Sequence, residues 1–220
     1  TLAGVVTTFN YSEGSTPTVV RSVIDGSVVL ADIDSPNFGG GSVTVTIANV
    51  VVAEDLLGIR NQGAADGQIS VSGSNVSYNP VGTAVSVVIG TISGGSGSAP
   101  LVVTLNANAS VAAVDALLQN ITYGNASQLP TTTTRNLTIT VVDGDGTANG
   151  GADTVSTNVN VNITRVNDAP LFTALNGGVG NTTEGAAAVL LDTNATVEDP
   201  ALGGGFVGAI HNMGGAAPTL

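Results

Sequence analysis

The sequence predicts an all-β protein: an antiparallel β-sandwich with one short helix, followed by the start of a second, similar domain. Val, Thr and Gly number 32, 27 and 30 of 220 residues, and Lys is absent. Val and Thr suit a pleated surface and, like Gly, are poor helix formers. Apolar and polar residues alternate with period two through most of the chain, sending successive side chains to opposite faces of a sheet. Clusters of Gly, Asn, Asp, Ser and Pro separate these runs where turns must fall.

Composition excludes several classes. Low aromatic content (3%) and acidity accompany disorder in many chains. Here charged residues reach only 9% and apolar residues 42%, enough for a core of Val, Ile and Leu. A formal charge of −12 with four Arg leaves no basic patch for phosphates, so no nucleic-acid partner is expected. No apolar run approaches the roughly 20 residues of a membrane helix, and no membrane insertion is expected. Without Cys there is no disulfide, thiolate metal site or Cys nucleophile. Soft, Thr-rich, Lys-free composition fits a large secreted surface protein. Thr1 is not a start Met, and no signal peptide precedes it. A mature form or excised piece is the expectation.

The elements follow in order. Val43, Val45 and Ile47 face one side of a strand, Thr44 and Thr46 the other. Ile69–Ser72 and Val76–Tyr78 flank Gly73-Ser74-Asn75 as a hairpin with a three-residue loop. Residues 101–106, 136–142 and 154–166 are further strands. The last sets Val155, Thr157, Val159, Val161 and Ile163 against Asn158, Asn160 and Asn162, one apolar face and one wet face. Residues 93–100 and 130–134 are loops. Ser110 caps a helix bearing Val111, Val114, Leu117 and Leu118, whose apolar stripe closes one end of the sandwich. Asp115 lies on it, apart from any acid cluster.

Pro170 ends the last long strand and sets a boundary, giving domains 1–168 and 169–220. Glu13-Gly14 and the run from Asp32 to Gly41 are echoed by Glu184-Gly185 and the run from Glu198 to Gly205, an imperfect repeat. About 50 residues is too short to bury a core alone. The second unit is incomplete by itself, with strands expected at 188–191, 195–198 and 206–210.

Acids collect in turns at strand ends: Glu13; Asp32 and Asp34; Asp143 and Asp145; Asn167 and Asp168; Glu184, Glu198 and Asp199. An Asp-x-Asp pair in a loop aims two hard oxygen donors to one side, and calcium collects six to eight such oxygens. With one His and no Cys, calcium is the cofactor expected. The competing reading is turn chemistry, which favours Asp and Asn anyway. Asp143-Gly144-Asp145 is no EF-hand, because Thr154 stands at its twelfth position. Gly150-Gly151-Ala152-Asp153 occurs once, and a β-roll needs repetition.

Ala31-Asp32-Ile33-Asp34-Ser35 resembles the A-x-D-x-D-S motif of cadherin domains. Val141-Val142-Asp143-Gly144 is similar to their A-x-D-x-G segment, and Val166-Asn167-Asp168-Ala169-Pro170-Leu171-Phe172 to their inter-domain linker. Together with Leu117-Leu118-Gln119-Asn120-Ile121-Thr122-Tyr123, these motifs resemble the tandem cadherin-like repeats of giant bacterial surface proteins. The resemblance implies a cadherin-like fold and calcium that stiffens a string of repeats. It places Glu13, Asn167 and Asp168 at the lower end of the first domain, and Asp32, Asp34 and Asp143 at the upper end. Thr164 replaces the linker's first Asp, Val197 stands at one Asp-x-Asp position, and the mid-domain acidic motif has no match.

The implied function is an extracellular structural or adhesive module of a cell-surface fibre or long adhesin. Its partners would be neighbouring repeats or copies of itself, and surface glycans. One alternative is a filament subunit polymerising by strand exchange, with Leu2–Phe9 as donor. Another is a calcium-dependent glycan-binding module or enzyme appendage. Catalysis is not expected: a Ser–His–Asp triad would rest on His211 alone, in a Gly-rich stretch. Nine Asn-x-Ser/Thr sequons, at Asn10, Asn75, Asn108, Asn120, Asn125, Asn136, Asn162, Asn181 and Asn194, exceed the roughly four expected by chance. A glycoprotein is one reading; alternating polar faces, which put an outward polar residue two positions after an outward Asn, are the competing one.

Overall fold

A computed structural model describes residues 1–15, 18–32, 37–147, 152–174, 184–185, 196–198 and 208–209. In chain order come β1 (Leu2–Ala3), β2 (Thr8–Ser12), β3 (Arg21–Val23), β4 (Val29–Leu30), β5 (Ser42–Ile47), β6 (Asp55–Ile59), β7 (Ile69–Ser72), β8 (Asn75–Tyr78), β9 (Val87–Ser93) and β10 (Leu101–Leu105). Then follow α1 (Val111–Leu118), β11 (Ile121–Asn125), β12 (Arg135–Val142), β13 (Thr154–Thr164), β14 (Leu171–Thr173), β15 (Thr196–Glu198) and β16 (Gly208–Ala209). The chain is an all-β sandwich with one short helix among the described residues.

The large sheet has eight strands in the order β2-β13-β12-β5-β10-β9-β8-β7. A three-stranded sheet, β3-β11-β6, forms the second layer, and β1 pairs with β4. The core between them is aliphatic: Val43, Val45, Leu101, Val103, Leu137, Val141, Val159 and Val161 from the large sheet, with Leu57 and Ile121 from the small one. Along β13 the apolar alternates are buried or half-buried, and Asn158, Asn160 and Asn162 are exposed. The polar side chains bond across the strands, as in Thr138 Oγ1 to Asn158 Oδ1 (2.9 Å) and Asn136 Nδ2 to Asn160 Oδ1 (2.7 Å). One face is apolar and the other neutral and wet.

Two expectations change in detail. Ser72 pairs with Asn75, so the β7–β8 loop has two residues, not three. Gly73 takes φ +58° while Ser74 keeps a negative φ, the arrangement of a II′ turn that matches strand twist. β13 stops at Thr164 rather than Val166. Asp115, set apart from the acid clusters, accepts the Leu30 N–H through Oδ1 at 2.6 Å, and Gln119 Nε2 reaches Val28 O at 2.9 Å, tying α1 to β4.

Ser110 caps α1 as its sequence predicts, in an extended conformation with its hydroxyl accepting from Ala113 N. Ala113, Val114, Leu117 and Leu118 are buried, and the helix packs against β4 and β7. β14, β15 and β16 form a separate three-stranded sheet. The strand expected at 188–191 lies outside the described residues. The N-terminal stretch Leu2–Phe9 is paired within its own chain, β1 with β4 and β2 with β13.

Candidate functional site

Two acidic clusters flank the long strands β12 and β13. The lower one begins with register. β2 runs parallel to β13, with Ser12 opposite Thr164, which sets Glu13 beside the segment leaving β13. The Glu13 N–H donates to Thr164 O at 3.3 Å, and the Val166 N–H donates to Glu13 Oε1 at 2.8 Å. Asp168 follows in the same segment. Glu13 is 4% exposed and Asp168 3%.

Their remaining oxygens have no partner: Glu13 Oε2 and both carboxylate oxygens of Asp168 are buried without a hydrogen bond. Burial pushes the Glu13 pKa up, and the Asp168 and Glu54 carboxylates add to the rise. The Val166 N–H and Arg165 oppose it. Asn167 is exposed, and its amide turns back to donate to Asp168 O at 3.1 Å.

Glu54, like Asp55, is an acid that the sequence motifs miss. It belongs to a second, satisfied set of charges in the core. Arg135, fully buried, donates through Nε to Asp55 Oδ2 at 2.7 Å and through Nη2 to Glu54 Oε2 at 3.2 Å. Its Nη1 reaches Thr133 O. Asp55 also accepts the Tyr123 hydroxyl at 2.5 Å and the Val51 N–H at 2.6 Å. Glu54 takes the Thr131 N–H and hydroxyl, both at 2.9 Å. The network joins β12 of the large sheet to β6 and β11 of the small one.

At the upper end, Asp143 follows β12 and is 5% exposed. It accepts the Asp145 N–H at 3.1 Å. Burial raises its pKa, and the neighbouring side chain and charge of Asp145, then the charge of Asp32, raise it further, against the Asp145 N–H. The Gly39-Gly40-Gly41 run builds this approach. A Cβ on Gly41 would lie 2.0 Å from Val142 O, and one on Gly144 (φ +85°) 2.4 Å from Gly41 N. Only glycines let these two backbones touch. The eight residues of β12 separate the clusters by roughly 25 Å of strand.

Of the residues singled out by sequence, Glu13 and Asp168 come together, and so do Asp32, Asp143 and Asp145. Glu184 is exposed in a turn. Glu198 ends β15. Asp34, Asp199 and His211 lie outside the described residues. Among the described residues, no three Asp, Glu or His side chains converge as a complete metal cage, and no helix is long and apolar enough to cross a membrane.

Of the sequons, Asn10, Asn75, Asn108, Asn136 and Asn162 are exposed. Asn120 and Asn125 are each 2% exposed and bonded, Asn120 Nδ2 to Ala116 O at 2.8 Å and Asn125 Nδ2 to Glu54 Oε2 at 3.4 Å. Those two amides cannot carry a sugar in the folded chain. Asn181 and Asn194 lie outside the described residues. Comparison with family models, curated proteins and solved structures finds no match for the chain.

Proposed function

We propose that the chain is an extracellular structural or adhesive repeat module of cadherin-like type, stiffened by calcium at its ends, in a cell-surface fibre or long adhesin. One observation supports this above the others: Asp168, 3% exposed with both carboxylate oxygens unpartnered, beside Glu13 with a bare Oε2. Burying an ionised carboxylate without a partner costs several kcal/mol. A hard divalent cation removes that cost and prefers oxygen donors. The pair supplies three bare oxygens at the point where the chain passes to β14. Backbone carbonyls and acids of the following repeat would complete the shell. At the other end Asp143, with Asp145 and Asp32 near it, would need oxygens of a preceding repeat to hold a cation, because no three acids of this chain converge there among the described residues.

Leu2–Phe9 pairs within its own chain, so the fibre is read as one of tandem repeats rather than of exchanged strands. The test is thermal unfolding in chelator and in millimolar calcium, the range of extracellular calcium modules. Calcium should raise the midpoint, and calorimetry should show binding. An unchanged midpoint would leave the acids as turn residues.

A further inference from the structure

A pull transmitted from residue 1 to residue 168 passes through β2 and leaves through β13. The two strands run in the same direction, Thr8 opposite Asn160 and Ser12 opposite Thr164. Tension draws β2 towards its N-terminal side and β13 towards its C-terminal side. In a parallel pair these forces oppose each other along the strand axis. Every rung is loaded at once, in shear. The antiparallel pair β12–β13, pulled from its open end at Arg135 and Val161, would instead unzip rung by rung.

The bonds continue past the strand ends. The Asn160 N–H donates to Thr7 O at 2.9 Å and the Glu13 N–H to Thr164 O at 3.3 Å. The Asn162 amide donates to Asn10 Oδ1 at 3.2 Å. Sliding β2 must also drag Tyr11, which is 1% exposed. Its ring stands edge-on to Tyr123, 5.0 Å between centroids. Its hydroxyl donates to Val20 O at 2.8 Å and accepts the Asn125 N–H at 3.1 Å. Tyr11 therefore pins β2 to the small sheet. Upstream the hold is shorter: β1 pairs with β4 at two positions, Thr1 and Ala31 exchange backbone bonds, and the Val6 N–H donates to Asp25 Oδ2 at 2.8 Å.

We propose that the β2–β13 pair, pinned by Tyr11, is the load-bearing clamp of the domain, a function that rests on reading the chain as a module of an extended surface fibre. The chain has no Cys, so introduced cysteines give unique handles for single-molecule pulling of the full chain. Ala3→Cys with Ala169→Cys loads the clamp in shear, whereas Thr132→Cys with Ala169→Cys opens β12–β13 from its end; all three positions are exposed. At one loading rate the first geometry should need a force at least about twofold higher, since forced rupture is set by the unfolding barrier. Tyr11→Phe keeps the ring and loses the hydroxyl bonds, and should lower the first force without lowering the second. Equal forces in the two geometries, or a Tyr11→Phe chain as strong as its parent, would overturn the proposal. The measurements are made in chelator, so failure of the calcium reading leaves the comparison of forces intact.

Discussion

Two sets of buried or half-buried carboxylates lie close together at the lower end of the domain, and they are balanced in opposite ways. Asp55 and Glu54 face Arg135, and their oxygens are engaged by hydroxyl, amide and guanidinium donors. Glu13 and Asp168 have one donor between their side-chain oxygens, the Val166 N–H, and three oxygens with none. The first set is complete within the chain. The second is built as though its counter-charge came from outside. Acidic count alone cannot separate the two cases; the inventory of donors does.

The sharpest way to break that comparison is to take the cation out of the complete set. Arg135→Met should destabilise the domain by about 3–5 kcal/mol, because it strands the buried Asp55 carboxylate and removes the cation beside half-buried Glu54. Calcium should not restore the loss if the two sets are separate. A double variant that also carries Asp55→Leu should recover some of it, since removing both partners costs less than removing one. Denaturant titration of the three chains measures both effects. Rescue of Arg135→Met by calcium would merge the sets into one site.

The incomplete set should respond with the opposite sign. Asp168→Asn removes a buried charge that has no partner. In chelator it should stabilise the domain, because the polar group that remains is neutral and no longer repels the Glu13 carboxylate. In calcium the same change should abolish the cation-dependent rise in melting temperature. A variant less stable than its parent in chelator would mean that Asp168 already has its counter-charge.

Acidity sharpens the contrast further. The Glu13 pKa is raised above 4.5 and that of Asp143 above 3.8. A raised carboxylate binds its proton more tightly in the folded state, so its favourable contribution is full below the unfolded value and fades as pH rises through the folded one. In chelator, lowering the pH from 7 towards 5 should narrow the stability difference between Glu13→Gln and its parent. Asp25 behaves conversely. Burial raises its pKa, but the Val6, Ser27 and Val28 backbone bonds and the Ser27 hydroxyl outweigh burial and lower it below 3.8. Its contribution is present above that value and is lost as pH falls through the folded pKa. Denaturation curves at several pH values, with Asp25→Asn alongside, separate the two trends.

Legibility in the sequence followed one-sided burial. Strands β5, β10, β12 and β13 are buried on one face and wet on the other, and their alternation reads directly. The strands β3, β4 and β6 have two to five residues, and Gly58 interrupts the last, so no period shows. The placement of Glu13, Asp32, Asp143 and Asp168 outside the strands was readable, because turn-forming neighbours surround them. Arg135 was not: it follows Thr131–Thr134 like one more loop residue. Its partner Asp55 lies 80 residues away in sequence, and only the packing of the two sheets brings them together. Glu54 was hidden for the same reason. The Gly39-Gly40-Gly41 run entered the sequence reading only as part of the repeat, and its close approach to the 142–144 backbone shows only in the packed chain.

The smallest effect should come from the helix at the other side of the same core. Ser110 satisfies the Ala113 N–H through its hydroxyl at 3.3 Å, one of the four amide donors a helix start leaves open. Removing a capping hydroxyl costs about 1 kcal/mol. The helix is additionally held by its buried Val114, Leu117 and Leu118 and by the bonds of Asp115 and Gln119 to β4 and Val28. Ser110→Ala should therefore lower stability by about 1 kcal/mol, equally in calcium and in chelator. An effect that depends on calcium would show that α1, through Leu30 and the adjoining Asp32, transmits the state of the upper acidic cluster into the core.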